Sequence, residues 1–268
     1  MTPGDHVTAG APPELVRAPS AAALADAAAS RLADAARAAV AARGRFTLAL
    51  SGGGTPRDTY ARLAELRDRV PWGHVDLYFG DERCVPPADE RSNFRMVAHA
   101  LLDHVHIAAH HVHRMHGELA PVEGAAAYER TLRGAFRDVV ANAATVTFDV
   151  ALLGVGPDGH TASLFPGGAA LQERERWAVA VPPPTTVEPR VRRITLTLPV
   201  LCRSREVWFL CSGPAKRAIV TAILAGAAEA REWPASMVRG AERTLWLVDD
   251  DAAPAGAAVD GAASAPAA

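Results

Sequence analysis

Short apolar runs recur along the chain, and turn-forming residues separate one run from the next. The runs are continuous rather than alternating, and they cover residues 46–50, 75–79, 148–153, 207–211 and 244–248. Continuous apolar runs of this length are typical of strands buried on both faces, as in a parallel sheet. A further run at 193–198 alternates apolar and polar residues and predicts another strand.

Helical patterns lie between the apolar runs. An alanine-rich segment at 21–42 predicts a helix that Gly44 would end. Later patterns predict helices over four segments, at 56–69, 92–102, 122–140 and 214–224. Pro56 and Pro214 suit a first helical turn. Because strands and helices alternate, the pattern predicts an α/β fold with a doubly wound, mostly parallel sheet flanked by helices. Such sheets bind ligands at the carboxyl ends of their strands.

The two ends of the chain differ in composition from its centre. Residues 1–18 and 250–268 are rich in alanine, glycine and proline and contain few large apolar side chains. Segments of this kind bury too little surface to offset the entropy of ordering. We expect both ends to be disordered and residues 19–249 to form one α/β domain.

Charge and cysteine content indicate which partners and which cellular compartment to expect. The net charge of −2 predicts no general attraction to nucleic acid or to a membrane, so an anionic ligand would need locally placed Arg and Lys. No leader peptide or membrane span is expected, because residues 1–20 lack an apolar core and no run is long enough. Three cysteines without metal-type spacing cannot all pair, which favours the reducing cytoplasm.

A glycine-rich turn follows the first predicted strand. Backbone N–H groups of Gly52 and Gly53, at the start of a helix, could bind a phosphate, and Ser51 and Thr55 add hydroxyl groups. The turn matches neither the Walker pattern nor G-x-G-x-x-G. A purely structural turn stays open as the alternative.

Charged residues follow the second predicted strand and begin two later elements. Asp81, Glu82 and Arg83 come directly after the strand, where they could contact a ligand or form a solvated turn. Arg193 begins the alternating strand, and Lys216 follows a Ser-Gly-Pro turn. Each is a single cation that would be ordinary surface if it stood alone.

His160 lies in a glycine-rich turn directly after the third apolar run. An imidazole there could act as a base, and Asp158 is close enough in sequence to orient it or to hold charge beside it. The alternative is a capped turn in which the histidine only bonds the backbone.

Together these segments resemble the 6-phosphogluconolactonase family over roughly residues 20–250. When it occurs together with the other segments, the segment around His160 is the most specific indicator of the family. The matching segments occur in the family's order: L-S-G-G-G-T-P at 50–56, G-D-E-R-C-V-P at 80–86, G-V-G-P-D-G-H-T-A-S-L-F-P-G at 154–167, R-I-T-L-T at 193–197 and S-G-P-A-K-R at 212–217.

The resemblance implies an enzyme that hydrolyses 6-phospho-D-glucono-1,5-lactone in the pentose phosphate pathway. It also implies the glucosamine-6-phosphate isomerase/deaminase fold and no metal or organic cofactor. In this interpretation His160 is the general base on water and Asp158 orients it. The expected phosphate ligands are Gly52, Gly53, Thr55, Arg83, Arg193 and Lys216. Further substrate-site candidates, without assigned roles, are Ser51, Asp81 and Glu82.

Other interpretations stay open. Seven histidines between 99 and 116 suggest metal, yet they form no H-E-x-x-H motif, so no metal site is expected. An isomerase or deaminase of the same fold would use a carboxylate base, and a non-catalytic sugar-phosphate sensor would not need His160. The sequence does not determine the oligomeric state, although a monomer is favoured as the simpler expectation.

Overall fold

The computed structural model describes residues 13–137 and 147–256. These residues form ten strands, arranged in one larger parallel sheet and one smaller antiparallel sheet. The strands are β1 (Glu14–Ala18), β2 (Phe46–Leu50), β3 (Val75–Phe79), β4 (Asp81–Arg83), β5 (Val112–His113), β6 (Val150–Leu153), β7 (Ala178–Val181), β8 (Arg193–Leu196), β9 (Glu206–Cys211) and β10 (Arg243–Asp249).

Helices flank the larger sheet and cover its apolar strands, whose side chains form the core. Within the described ranges, no helix is long and apolar enough to cross a membrane. The α-helices are α1 (Ala21–Arg43), α2 (Gly54–Glu65), α3 (Asn93–Ala100), α4 (Pro121–Ala135), α5 (Leu198–Cys202), α6 (Arg217–Leu224) and α7 (Pro234–Met237).

The predicted parallel α/β sheet is confirmed. All five continuous apolar runs contain a strand of the larger sheet, and every pairing in that sheet is parallel. Gly44 ends α1 with a positive φ of 76°, as predicted. The helix predicted over 122–140 begins at Pro121 and extends to Ala135, while residues 138–140 lie outside the described part of the chain.

Two predictions made from the ends of the chain need correction. The expected disorder of 1–18 is wrong for Glu14–Ala18, which pair in parallel with β10. At the other end, Ala252 and Ala253 are buried and donate backbone hydrogen bonds to Asp249. Backbone hydrogen bonds order both segments, through the pairing of β1 with β10 at one end and through the bonds to Asp249 at the other. Residues 1–12 and 257–268 lie outside the described residues.

The strand predicted over the alternating run at 193–198 is confirmed for Arg193–Leu196. Its strand is β8, which pairs antiparallel with β4 and β7 in the smaller sheet and ends at Leu196. Leu198 already begins α5, with Pro199 in its first turn. The alternation does not mark a solvated face, because all four residues of β8 are buried.

The order of strands places a switch point beside β2. The larger sheet runs β1-β10-β9-β6-β2-β3-β5, so the chain leaves β2 toward β3 on one side and leaves β6 toward β9 on the other. Diverging connections leave a crevice outside the carboxyl ends of the strands, where α/β proteins bind ligands. The glycine-rich turn and the His160 turn are the two loops that begin at this crevice.

The smaller sheet is joined to the carboxyl edge of the larger one through Gly80. The Gly80 N–H donates to the carbonyl of Leu50 at the end of β2 (2.8 Å), and the Gly80 carbonyl accepts from the N–H of Leu196 in β8 (2.8 Å). Gly80 therefore joins β3 to β4 along the chain and bonds β2 and β8 on either side. It brings β4 and β8 directly over the crevice.

Two buried tyrosines hold the ends of β2 and β3. The Tyr60 hydroxyl accepts from the Ser51 N–H (2.8 Å) and donates to the Ser51 carbonyl (2.9 Å). Tyr128 bonds Phe79 in the same way, at 2.8 Å and 3.1 Å. Burial raises the pKa of both hydroxyls, so each stays protonated and keeps its donor.

We expect Tyr128→Phe to destabilise the fold by about 1–3 kcal/mol, because it leaves two buried backbone groups of Phe79 without a partner. Urea unfolding followed by circular dichroism measures the change. Tyr78→Phe is the matched control, since the Tyr78 hydroxyl makes no hydrogen bond within the described residues. Equal losses in the two variants would show that the Tyr128 bonds contribute nothing specific.

Candidate active site

A cleft of about 280 Å³ opens at the switch point, between the ends of the parallel strands and the smaller sheet. Most of the predicted site residues meet here, although they come from five separate segments of the chain. The residues that line the cleft include Ser51, Gly52, Gly53, Thr55, Asp81, Arg83, His160, Arg193 and Lys216.

Two predicted site residues do not line this cleft. Asp158 lies behind His160 and faces a neighbouring cavity of about 360 Å³. Glu82 is buried, and its carboxylate accepts hydrogen bonds from the N–H groups of Arg83, Asn93 and Phe94 and from the Ser92 hydroxyl. Burial raises the pKa of Glu82, while these hydrogen bonds oppose the rise. Glu82 thus anchors the start of α3, and its placement as a substrate contact needs correction.

Glycines allow the His160 turn to fold tightly. The Gly156 N–H donates to the His160 carbonyl (2.8 Å), and the imidazole packs so close to Gly156 that a Cβ there would lie 2.0 Å from the ring. Gly159 has a φ of 80°, and a Cβ on it would lie 2.4 Å from the Trp233 ring. Larger residues at these two positions would displace the imidazole or the turn that carries it.

The His160 imidazole forms a short hydrogen bond with Asp158. Nδ1 lies 2.5 Å from Oδ1 of Asp158, and the His160 N–H donates to the same oxygen at 3.1 Å. Burial alone would raise the pKa of Asp158, but the hydrogen bonds from His160 and Thr186 outweigh it and hold that pKa below its usual value. Asp158 is therefore an anion that accepts from Nδ1, which leaves Nε2 as the basic nitrogen.

Three cations line the cleft, namely Arg83, Arg193 and Lys216. Arg83 and Arg193 are direct cross-strand partners in the antiparallel pairing of β4 with β8. Like charges in that position repel each other, so the pairing is unfavourable unless an anion lies between them. Lys216 also lines the cleft and donates to the Val155 carbonyl at 2.6 Å.

Arg193 is the most buried of these cations, with 3% of its surface exposed. Burial lowers its pKa, an effect that nearby Asp81 opposes and Arg83 reinforces. The nearest Asp81 oxygen is 3.9 Å from the guanidinium, which is too far for a hydrogen bond. The Nε atoms of Arg83 and Arg193 are both buried without a partner in the described residues. Unused buried donors on two adjacent cations are suited to binding an anion.

The glycine-rich turn adds the start of α2 to the cleft. Gly53 precedes the helix with a φ of 108°, and no side chain caps the first N–H groups. Gly52 packs against Asn93 so closely that a Cβ would lie 2.1 Å from the Asn93 Oδ1. Uncapped N–H groups at a helix start attract anions, and the glycines let the backbone approach one.

Asp81 places a buried carboxylate at the cleft. Its Oδ2 accepts from the Ser163 hydroxyl at 2.6 Å, and its Oδ1 accepts from the Asn93 side chain at 3.1 Å. These contacts tie β4 to the His160 turn and to the start of α3. Asp81 therefore connects the cationic part of the cleft with the part that holds His160.

Sequence reasoning missed several contributors. Phe165 contacts both the His160 ring, with centroids 4.8 Å apart, and the Arg193 guanidinium, 5.6 Å from its ring centre. Val187 and Glu188, from the loop between β7 and β8, also line the cleft. Phe165 belongs to the S-L-F-P segment that already stood out, whereas the loop had no signal beyond its prolines.

Within the described ranges, no three His, Cys, Asp or Glu side chains are placed to hold a metal ion. His111 and His113, from the histidine-rich stretch, both bond Asp76 at 3.0 Å. All three cysteines are free thiols.

Comparison with known proteins extends these observations. The sequence model of the family described as "Glucosamine-6-phosphate isomerases/6-phosphogluconolactonase" matches residues 19–246. The 6-phosphogluconolactonase of Mycobacterium tuberculosis is 42% identical over 215 residues, which cover 78% of this chain and 85% of that protein. The 6-phosphogluconolactonase of Streptomyces coelicolor is 41% identical over 254 residues, which cover 90% and 94%.

A solved structure is similar as well. The crystal structure of the 6-phosphogluconolactonase from Thermotoga maritima has a TM-score of 0.76 and 30% identity, and the match covers 88% of this chain and 99% of that one. The resemblance inferred from the motifs is thus confirmed over nearly the same residues. The chain belongs to the glucosamine-6-phosphate isomerase/6-phosphogluconolactonase family.

Proposed function

We propose that this protein hydrolyses 6-phospho-D-glucono-1,5-lactone to 6-phospho-D-gluconate in the oxidative pentose phosphate pathway. The relatives described above are named for this activity. The observation that carries the proposal is the shared cleft, in which an imidazole paired with a carboxylate lies alongside three cations. The free thiols of all three cysteines favour the cytoplasm as the site of the reaction.

In the proposed mechanism His160 acts first as a general base. Its Nε2 takes a proton from water as the water oxygen bonds to the lactone carbonyl carbon, which gives a tetrahedral oxyanion and an imidazolium. When the oxyanion collapses, the bond to the ring oxygen breaks. The imidazolium returns its proton to that oxygen, so His160 is regenerated and the ring opens to the hydroxy acid.

Asp158 supports both steps. As an anion bonded to Nδ1, it selects the tautomer that leaves Nε2 basic, and it stabilises the imidazolium that forms. The backbone of the same turn holds the imidazole in place through the hydrogen bond between Gly156 and the His160 carbonyl. The base is therefore oriented before the substrate arrives.

The phosphate of the substrate is assigned to the cationic part of the cleft. Near neutral pH a phosphomonoester carries close to two negative charges. Arg83 and Arg193 have unused donors, Lys216 adds a third charge, and the start of α2 adds the N–H groups near Thr55. Binding at this remote end would place the lactone carbonyl beside His160.

An isomerase or deaminase reaction would need a carboxylate as the base. Two carboxylates line the cleft, and the oxygens of both already contact protein donors. Asp81 accepts from Ser163 and Asn93, and Glu188 accepts from the Arg190 N–H and lies 3.1 Å from the Arg190 Nε. The Nε2 atom of His160, in contrast, has no hydrogen-bond partner within the described ranges. This difference favours hydrolysis through His160.

We expect His160→Ala to lower kcat by about two orders of magnitude or more, because it removes the base while leaving the phosphate ligands in place. Purified variant and wild type are compared in a lactonase assay from which the spontaneous hydrolysis rate is subtracted. Binding of 6-phosphogluconate should change little, which serves as the control for folding. A kcat near that of the wild type would contradict the assignment.

We expect Arg193→Ala and Lys216→Ala to raise KM for the phosphorylated lactone by roughly ten- to a hundredfold, since each removes a charged contact. Activity on unphosphorylated gluconolactone should hardly change. Arg37→Ala, on the exposed face of α1, is the control for loss of an arginine. If the wild type hydrolyses both lactones equally well, the cations do not bind phosphate and the proposed substrate is wrong.

We expect exhaustive treatment with EDTA to leave the activity unchanged, because the mechanism uses only protein side chains and water. The assay compares treated enzyme with enzyme to which Mg²⁺ or Zn²⁺ has been returned. Activity that disappears and is restored by a stoichiometric divalent ion would mean that a metal takes part.

A further inference from the structure

Thr186 holds the side of Asp158 that His160 leaves free. It lies in the loop between β7 and β8, and its hydroxyl donates to Oδ2 of Asp158 over 3.2 Å. The other carboxylate oxygen, Oδ1, accepts from both the side chain and the backbone of His160. The two oxygens of Asp158 are therefore fixed by two different segments of the chain.

The same loop continues into the cleft and reaches the cations. Val187 and Glu188 line the cleft next to Thr186. The carbonyl of Pro189 then accepts a hydrogen bond from Arg193 at 3.1 Å. Four consecutive residues thus contact Asp158, the substrate cleft and the buried arginine in turn.

We propose that Thr186 is a positioning residue for the hydrolytic step, which acts by fixing the plane of the Asp158 carboxylate against the His160 imidazole. The inference rests on the proposed function. The torsion that rotates a carboxylate has a broad energy minimum, so one hydrogen-bonded oxygen alone leaves the plane free to turn. A second anchor on Oδ2 restricts that rotation and keeps Oδ1 directed at Nδ1.

Because Thr186 is exposed, a substitution there can test positioning of Asp158 without destabilising the fold. Its side chain is exposed, so replacing the hydroxyl by a methyl group opens no cavity in the core. The hydroxyl bonds Asp158, not the substrate cleft, so substrate affinity should not depend on it. Thr186 is therefore expected to affect the rate of the chemical step and not the binding of the lactone.

The experiment compares the wild type with Thr186→Val, Thr186→Ser and Thr185→Val in steady-state lactonase assays. Valine keeps the shape of threonine but removes the hydroxyl, whereas serine keeps the hydroxyl. Thr185→Val makes the same change one position earlier, at an exposed residue with no hydrogen bond to Asp158 in the described ranges. Thermal unfolding of each variant checks that the fold is retained.

We expect Thr186→Val to lower kcat by about three- to tenfold, the effect of losing one hydrogen bond, with KM unchanged. Thr186→Ser should restore most of the rate, and Thr185→Val should match the wild type. The inference fails if Thr186→Val retains full kcat, if KM changes instead, if serine does not restore the rate, or if Thr185→Val is equally slow. A wild type without lactonase activity would overturn the proposed function and this inference with it.

Discussion

The parallel pairing of β2 with β3 on one side and with β6 on the other is the constraint on which the site depends. Parallel pairing places the carboxyl ends of all three strands at one edge, and the diverging connections open a crevice there. The glycine-rich turn, the smaller sheet and the His160 turn each begin at this edge. Tyr60 and Tyr128 fix the ends of β2 and β3 through buried hydrogen bonds, so the loops start from rigid points.

Two arginines of the cleft repel each other, and this repulsion opposes folding. Arg83 and Arg193 are direct neighbours across two strands, and each has a buried Nε without a partner among the described residues. Without a bound anion, replacing either by an apolar residue would relieve repulsion and the cost of desolvation. Such an arrangement becomes favourable when a dianion binds between the charges, and this is the physical basis of the proposed phosphate site.

The opposite part of the cleft is organised by hydrogen bonds rather than by charge alone. Asp158 is held on both oxygens, by His160 and by Thr186, and the His160 ring packs on Gly156 where no side chain could fit. Phe165 contacts both His160 and Arg193 and so connects the two parts. One aromatic ring therefore packs against both the imidazole and the buried guanidinium.

The sequence by itself determined the parallel α/β fold, because continuous apolar runs and intervening helical patterns are local properties of the chain. It also made the His160 turn and the cations site candidates, because their segments together resemble those of a known family, although each cation alone would be ordinary surface. Only the tertiary structure decided that Glu82 anchors α3, that Glu14–Ala18 form an edge strand, and that β8 belongs to a separate antiparallel sheet. These outcomes depend on which backbone and side-chain groups pair across the chain; the side chains of Thr186 and Asp158, for example, are 28 residues apart in sequence. No local pattern encodes such a pairing.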